Sequence, residues 1–206
     1  MDYIEIGYRV NRAACPQCDS HSRHRSMYLW LNEEFQIADR AGSALIFAPE
    51  KALNPVWESA TKLKVHRVDI VPDRGVNILA DIMRLPFLTD SVDFIWCHHV
   101  LEQVPDDKTA LAELSRVLRS DGGVLVLSVG MSNADVTQDF GFADKTLSGN
   151  WRRYGADFIG RMQTAGLNVK PITHKLSDLQ RREFGIFPET FFYCTRAASK
   201  ANIVRN

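Results

Sequence analysis

Between positions 44 and 130 the hydrophobic residues recur with two different periods. Short apolar runs rich in β-branched residues occupy 44–48, 64–69, 76–80, 92–97 and 124–129, and each reads as a strand. Between the last two, Leu111, Leu114, Val117 and Leu118 fall at offsets of three and four, which is the stripe of an amphipathic helix. Strand, helix and strand in that order predict a parallel sheet with helices packed on its faces. Upstream, Met27, Leu29, Trp30, Leu31, Phe35 and Ile37 predict a helix over 21–40. Downstream, 131–150 is polar and without period, as suits a lid or substrate loop. Trp151-Arg152-Arg153-Tyr154 then reads as the opening of a helix that stops at Ala165-Gly166, and 167–172 and 190–195 as two final strands.

With 206 residues, 45% of them hydrophobic, the chain suits one domain burying roughly 70% of the surface its unfolded form exposes. That domain is expected over 1–206: a knuckle and helix in 1–40, a binding core in 41–130, and a substrate-side lid, helix and strands in 131–206. Lys plus Arg equals Asp plus Glu at 25 each, and the basic residues form no long run. A nucleic-acid partner is therefore not expected. The start has no basic and apolar leader pattern, and no apolar run approaches the roughly 18 residues that span a bilayer. A soluble, cytoplasmic protein with no membrane partner is expected. The four cysteines do not make a disulfide framework; reduced thiols or a metal pair fit better.

In open parallel sheets, ligands bind outside the carboxyl ends of the strands. That directs attention to Asp69, to Asp81 and to Cys97-His98-His99. A carboxylate ending the second strand, as Asp69 does, can accept two hydrogen bonds from a ribose diol, or it can cap its own turn. Cys15-Pro-Gln-Cys18 has the spacing of a zinc knuckle, and His21 and His24 would complete a Cys2His2 set. A surface turn with two free thiols, leading into a helix capped by Asp19 or Ser20, is the other reading. Arg23, His24 and Arg25 at that helix start offer a bidentate contact to a carboxylate, or simply form a solvated turn.

The run ADIMRLPFLTDSVDFIWCHHVLEQVPD, followed by ALAELSRVLRSDGG, closely resembles the central block of class I S-adenosylmethionine (SAM)-dependent methyltransferases. There an acidic residue, LPF, SFD, HVLEH and RVLKPGG recur in that order. CPQCDSHSRHR, LIFAPE, WRRYGADF and FGIFPETFFYC resemble a small-molecule or glycan subgroup. The resemblance implies a Rossmann-like, seven-stranded, mostly parallel sheet with an antiparallel edge. It implies SAM as cofactor, with zinc possible at the knuckle, and a small-molecule or glycan hydroxyl or amine as methyl acceptor.

By the same resemblance, Asp69 serves the ribose, while Asp81 and the Ile82 backbone serve the adenine. Ala48, Pro49 and Glu50 replace the usual glycine loop beside the methionine end, with Glu50 placed to meet an ammonium group. The backbone at Cys97 and His98 passes the same end, and His99 is the candidate general base, the other reading being a helix-start histidine with a structural hydrogen bond. Asn150 stands where relatives often have histidine. The alternative is a noncatalytic module of the same fold that serves protein interaction. A nicotinamide-dependent reductase is a third reading, but the first strand lacks the G-x-G-x-x-G that would follow it.

Overall fold

The structure, a computed structural model, describes residues 2–5, 8–11, 14–72, 75–187 and 189–197, with backbone alone for 2–5 and 8–11. The single-domain expectation for 1–206 runs over residues outside these. A hairpin of β1 (Asp2–Glu5) and β2 (Tyr8–Asn11) comes first, then helix α1 (Ser22–Glu33). Strand β3 (Gly42–Phe47), helix α2 (Asn54–Ser59), strands β4 (Leu63–Asp69), β5 (Ile78–Leu79) and β6 (Phe94–His98), and helix α3 (Asp107–Val117) follow. After β7 (Val124–Ser128), the strands β8 (Gln138–Asp144) and β9 (Asn150–Arg153) form a separate antiparallel pair. The chain continues through α4 (Phe158–Thr164), β10 (Leu167–Thr173), α5 (Asp178–Phe184) and β11 (Thr190–Arg196).

Seven strands make one sheet in the order β10-β11-β7-β6-β3-β4-β5. The five from β5 to β7 run parallel, and β11 runs antiparallel to both β7 and β10. The expected antiparallel edge is thus present, with β11 as its reversed member. The central strands are covered on both faces, so Ala44–Phe47, β6 and β7 are continuously buried instead of alternating. Period two still sorts their side chains. Leu45, Ile95, Cys97, Leu125 and Leu127 pack with Leu111 and Leu114 of α3 and with Phe158 and Met162 of α4. Ala44, Ile46, Phe94, Trp96, Val124 and Val126 face Met27, Trp30 and Leu31 of α1 and Trp57 of α2. Each fully buried aliphatic side chain contributes roughly 1.5–3 kcal/mol. Among the described residues no helix is long and apolar enough to cross a membrane.

Three sequence expectations are corrected. The helix expected over 21–40 ends at Glu33, because Gln36 turns left-handed (φ 54°) before a short 3-10 turn at Ile37–Asp39. The strand expected over 76–80 is reduced to Ile78–Leu79. Residues 151–154 do not open a helix: they belong to β9 and its extension, and 138–144, expected to be loop, supply the partner strand. The cause lies in side chains that bind across the fold. Arg152 is 4% exposed. Its Nη1 donates to the Leu101 and Val104 carbonyls at 2.8 and 2.5 Å, its Nη2 to Pro105 O at 2.8 Å and its Nε to Asp139 at 2.8 Å. Gly155 follows so closely beneath the 134–136 backbone that a Cβ would meet Val136 C at 2.5 Å, so the chain can pass there only without a side chain. Arg161 completes the cluster by donating to Asp107 and Asp139, each at 3.0 Å.

Removing one member of a buried charged network leaves its partners unpaired, at a cost of about 3–5 kcal/mol. Arg152→Met is therefore expected to lower the unfolding free energy by about that amount in urea titration. A loss under about 1 kcal/mol, the scale of an exposed pair, would contradict the role assigned to this guanidinium.

Candidate functional site

Strand order reverses at β3, since the chain leaves it for β4 on one side and returns to β6 on the other. At such a switch point the loops beyond the carboxyl ends part and leave a crevice. A cavity of about 510 Å³ opens there, lined by Phe47, Ala48, Asp69, Asp81, Ile82 and His99 among others. Asp69 and Asp81 each commit one oxygen to their own turn: Val71 N donates to Asp69 Oδ1 at 3.1 Å and Met83 N to Asp81 Oδ1 at 2.8 Å. Each carboxylate therefore caps its own turn through one oxygen. Ala48 sits at φ 44°, in the left-handed region that glycine enters without strain. Its N–H donates to Val68 O at 3.0 Å, which extends the β3–β4 ladder to the edge of the cavity.

Glu50 turns towards α1. Its Oε1 lies 2.6 Å from His24 Nε2 and 3.4 Å from Arg23 Nη2, and it lines a second cavity of about 680 Å³ with Arg23, His24, Pro49 and Lys51. Burial alone would raise the Glu50 carboxyl, but the His24 hydrogen bond and the facing His98, His24 and Arg23 hold it at about 2. Behind it, His98 is 4% exposed, with Nδ1 against Ser128 Oγ and Nε2 3.6 Å from Glu50 Oε2. Burial drives this imidazole well below its usual range against the pull of Glu50. Cys97 lies fully in the α3-side core, where burial pushes its thiol far up. It can therefore offer a ligand its backbone only.

His99 stands at φ 50° and donates its N–H to Ser128 O at 3.0 Å. Its Nδ1 is 2.8 Å from Glu102 Oε1 and its Nε2 3.5 Å from Glu189 Oε1. Burial opposes the charged ring, but the hydrogen bonds to Glu102 and Glu189 and their charges outweigh it and raise His99 to about 9. These contacts favour the charged ring, in which both nitrogens carry protons and donate. In this geometry His99 is held between Glu102 and Glu189 as a hydrogen-bond donor to both. Glu102 was legible as a partner three residues on; Glu189 is distant in sequence and gave no signal.

The four expected metal ligands do not gather into one set. Cys18 Sγ donates to Ser20 Oγ at 3.2 Å, His21 Nδ1 is 3.2 Å from Arg23 Nη1, and the His24 ring turns away to Glu50. His21, and neither Asp19 nor Ser20, takes the cap position of α1. Arg25 is held by the Phe184 and Gly185 carbonyls at 2.6 and 2.7 Å. Among the described residues, the group whose ligating atoms all lie within 4.8 Å of one another is His24, Glu50 and His98.

Because the folded His99 is raised above the usual 6.5, its pairing stabilises the fold fully below about 6.5 and is lost as pH rises through about 9. In an NMR titration the His99 ring is expected to protonate near 9, and Glu102→Gln to bring that midpoint down towards 6.5. A parent midpoint at or under 6.5 would overturn the imidazolium assignment.

Residues 52–126 match the family model of the methyltransferase domain, a span that begins just past the Ala48-Pro49-Glu50 corner. A stretch of 54 residues is 51% identical to an uncharacterized chloroplastic methyltransferase of Arabidopsis thaliana; it covers 26% of this chain and spans only 15% of that protein's length. Among solved structures, the chain resembles the Burkholderia thailandensis 1,6-didemethyltoxoflavin-N1-methyltransferase with bound 1,6-didemethyltoxoflavin and S-adenosylhomocysteine. That likeness has a TM-score of 0.60 and 16% identity over 86% of this chain and 78% of that one. A SAM-dependent methyltransferase from Mesorhizobium loti gives a TM-score of 0.57 at 14% identity, over 82% of this chain and 97% of that one. Residues 52–126 thus match a methyltransferase domain, and the strand order and the solved structures agree that the chain has the fold of the class I SAM-dependent methyltransferases.

Proposed function

We propose that the protein methylates a hydroxyl or amine of a small molecule or glycan, with SAM as donor. The observation that carries this reading is the convergence of Asp69 and Asp81 from two neighbouring strand ends on one cavity with apolar walls. The donor set fits a nucleoside. Asp69 accepts from the ribose hydroxyls, Asp81 accepts from the adenine amino group while the Ile82 backbone serves a ring nitrogen, and Phe47, Ile82 and Met83 supply apolar contact. The methionine end then lies towards Ala48 and Pro49 and the backbone of 97–99. Glu50 is already paired with His24 and Arg23, so it shapes this corner from behind, and an ammonium group would have to compete for it.

SAM supplies a methyl group on an activated sulfonium leaving group. What remains for the chain is alignment, and positioning alone can contribute about 7–11 kcal/mol to the barrier. The imidazolium of His99, fixed by two carboxylates, holds rather than removes protons. The β8–β9 hairpin lies beside the same opening, since Gln103 of the cavity wall donates to Ser148 O at 3.3 Å, and it is the candidate cover for the acceptor.

A second reading is favoured by one feature, the replacement of the glycine loop by Ala48, Pro49 and a paired Glu50: a noncatalytic module with weak or lost SAM binding. Calorimetric titration with SAM, and separately with S-adenosylhomocysteine, distinguishes the two. A charge-assisted hydrogen bond is worth roughly 1.5–3 kcal/mol. Micromolar binding, weakened about tenfold to 150-fold by Asp69→Ala and by Asp81→Ala, is expected. Folded parent protein that binds neither ligand at millimolar concentration would establish the module instead.

A further inference from the structure

The 680 Å³ cavity has His24 and Glu50 in its wall, and His98 lies behind them. Two buried atoms there, Glu50 Oε2 and His98 Nε2, face each other at 3.6 Å and have no hydrogen-bond partner among the described residues. Unpaired buried polar atoms are costly and are rarely left so in folded proteins. The third member, His24 Nε2, lies 2.6 Å from Glu50 Oε1. Ligand bonds near 2.0–2.2 Å in a tetrahedral shell place neighbouring donor atoms about 3.3–3.5 Å apart, and the observed 2.6 and 3.6 Å separations bracket that spacing. His98 is also oriented from outside: its Nδ1 meets Ser128 Oγ, as a ligating imidazole usually bonds a neighbouring polar group through its other nitrogen.

We propose that His24, Glu50 and His98 hold a divalent cation of the zinc class, reached from the 680 Å³ cavity and open there to a fourth ligand. Two imidazoles and a carboxylate are a sufficient protein set for a zinc ion that keeps one open position. The incoming ligand is then an oxygen or nitrogen donor, either water or a hydroxyl or amine of a bound molecule. Binding needs two local changes. His24 Nδ1 now accepts the His21 N–H at 3.1 Å, which puts the ring proton on Nε2. That proton moves to Nδ1 and the cap contact opens. Arg23 Nη2 gives up its long, 3.4 Å contact with Glu50 Oε1. The site shares His24 with the knuckle expected from sequence but uses neither Cys15 nor Cys18.

The test uses the full chain, freed of metal by chelator and checked for fold by circular dichroism. It is titrated with Zn²⁺ by calorimetry and with Co²⁺ by absorption spectroscopy. One equivalent should bind, with a visible d–d spectrum and no thiolate-to-cobalt charge-transfer band. Glu50→Gln and His98→Ala should each weaken binding by about 100-fold or more, and the double variant Cys15→Ser/Cys18→Ser should bind like the parent. Should Glu50→Gln fail to fold, His98→Ala carries the test. No binding by folded parent protein overturns the proposal. So does a thiolate charge-transfer band, or binding lost in the cysteine variant and kept in His98→Ala, since either puts the ion on the knuckle. The readout is metal binding, so it stands apart from the outcome with SAM.

Discussion

Glu50 is a carboxylate placed where the central strand hands the chain to a helical layer, and a charge buried at such a corner must be paired. The pairing is with His24 and Arg23 of α1, and it reaches across 26 and 27 residues of sequence. This draws the start of α1 over the carboxyl end of β3, while Met27, Trp30 and Leu31 of the same helix bury against the sheet. The corner thus divides the end of the sheet in two. On one side Ala48 and the strand-end aspartates enclose an apolar crevice; on the other lies a polar hollow lined by basic residues and Glu50.

The opposite wall of the crevice depends on a different charge. Val104 and Pro105 line it, and their carbonyls are held by Arg152 from β9. The β8–β9 hairpin and the loop that bounds this side of the crevice are therefore one mechanical unit. Asp107 ties that unit to α3, since it takes hydrogen bonds from Arg161 and Tyr154 at 3.0 and 3.1 Å.

Legibility in the sequence followed burial. β7 read correctly as a short continuous apolar run and α3 as a helical stripe, and the β10–β11 pair was placed to within a residue or two. The 131–154 segment did not read. β8 is mostly exposed, so no apolar alternation marks it, and what holds β9 is an arginine bound to distant carbonyls. In the candidate site, the place of Asp69 and Asp81 beside the crevice was legible because both follow strands of a parallel sheet. The nearness of His24 to Glu50 and His98 was hidden, since each residue has a plausible local explanation and only the crossing of α1 over β3 joins them. The second carboxylate beside His99 was hidden too, because Glu189 approaches it from the far end of the chain.

The four thiols divide by the same burial. Cys97 and Cys194 lie inside the sheet layer, where burial pushes the first far up and the second to about 12. Only a vanishing fraction of either is thiolate, and thiolate is the reactive form. Cys15 is partly exposed and lowered by the backbone of Cys18 and Gln17, and Cys18 is exposed beside it. An electrophilic probe applied to the native protein would therefore attach at the turn before α1, and Cys18 itself lines the polar hollow. The chain carries a built-in attachment point for a fluorophore or spin label at the mouth of that hollow, while its two core thiols stay silent until the fold opens.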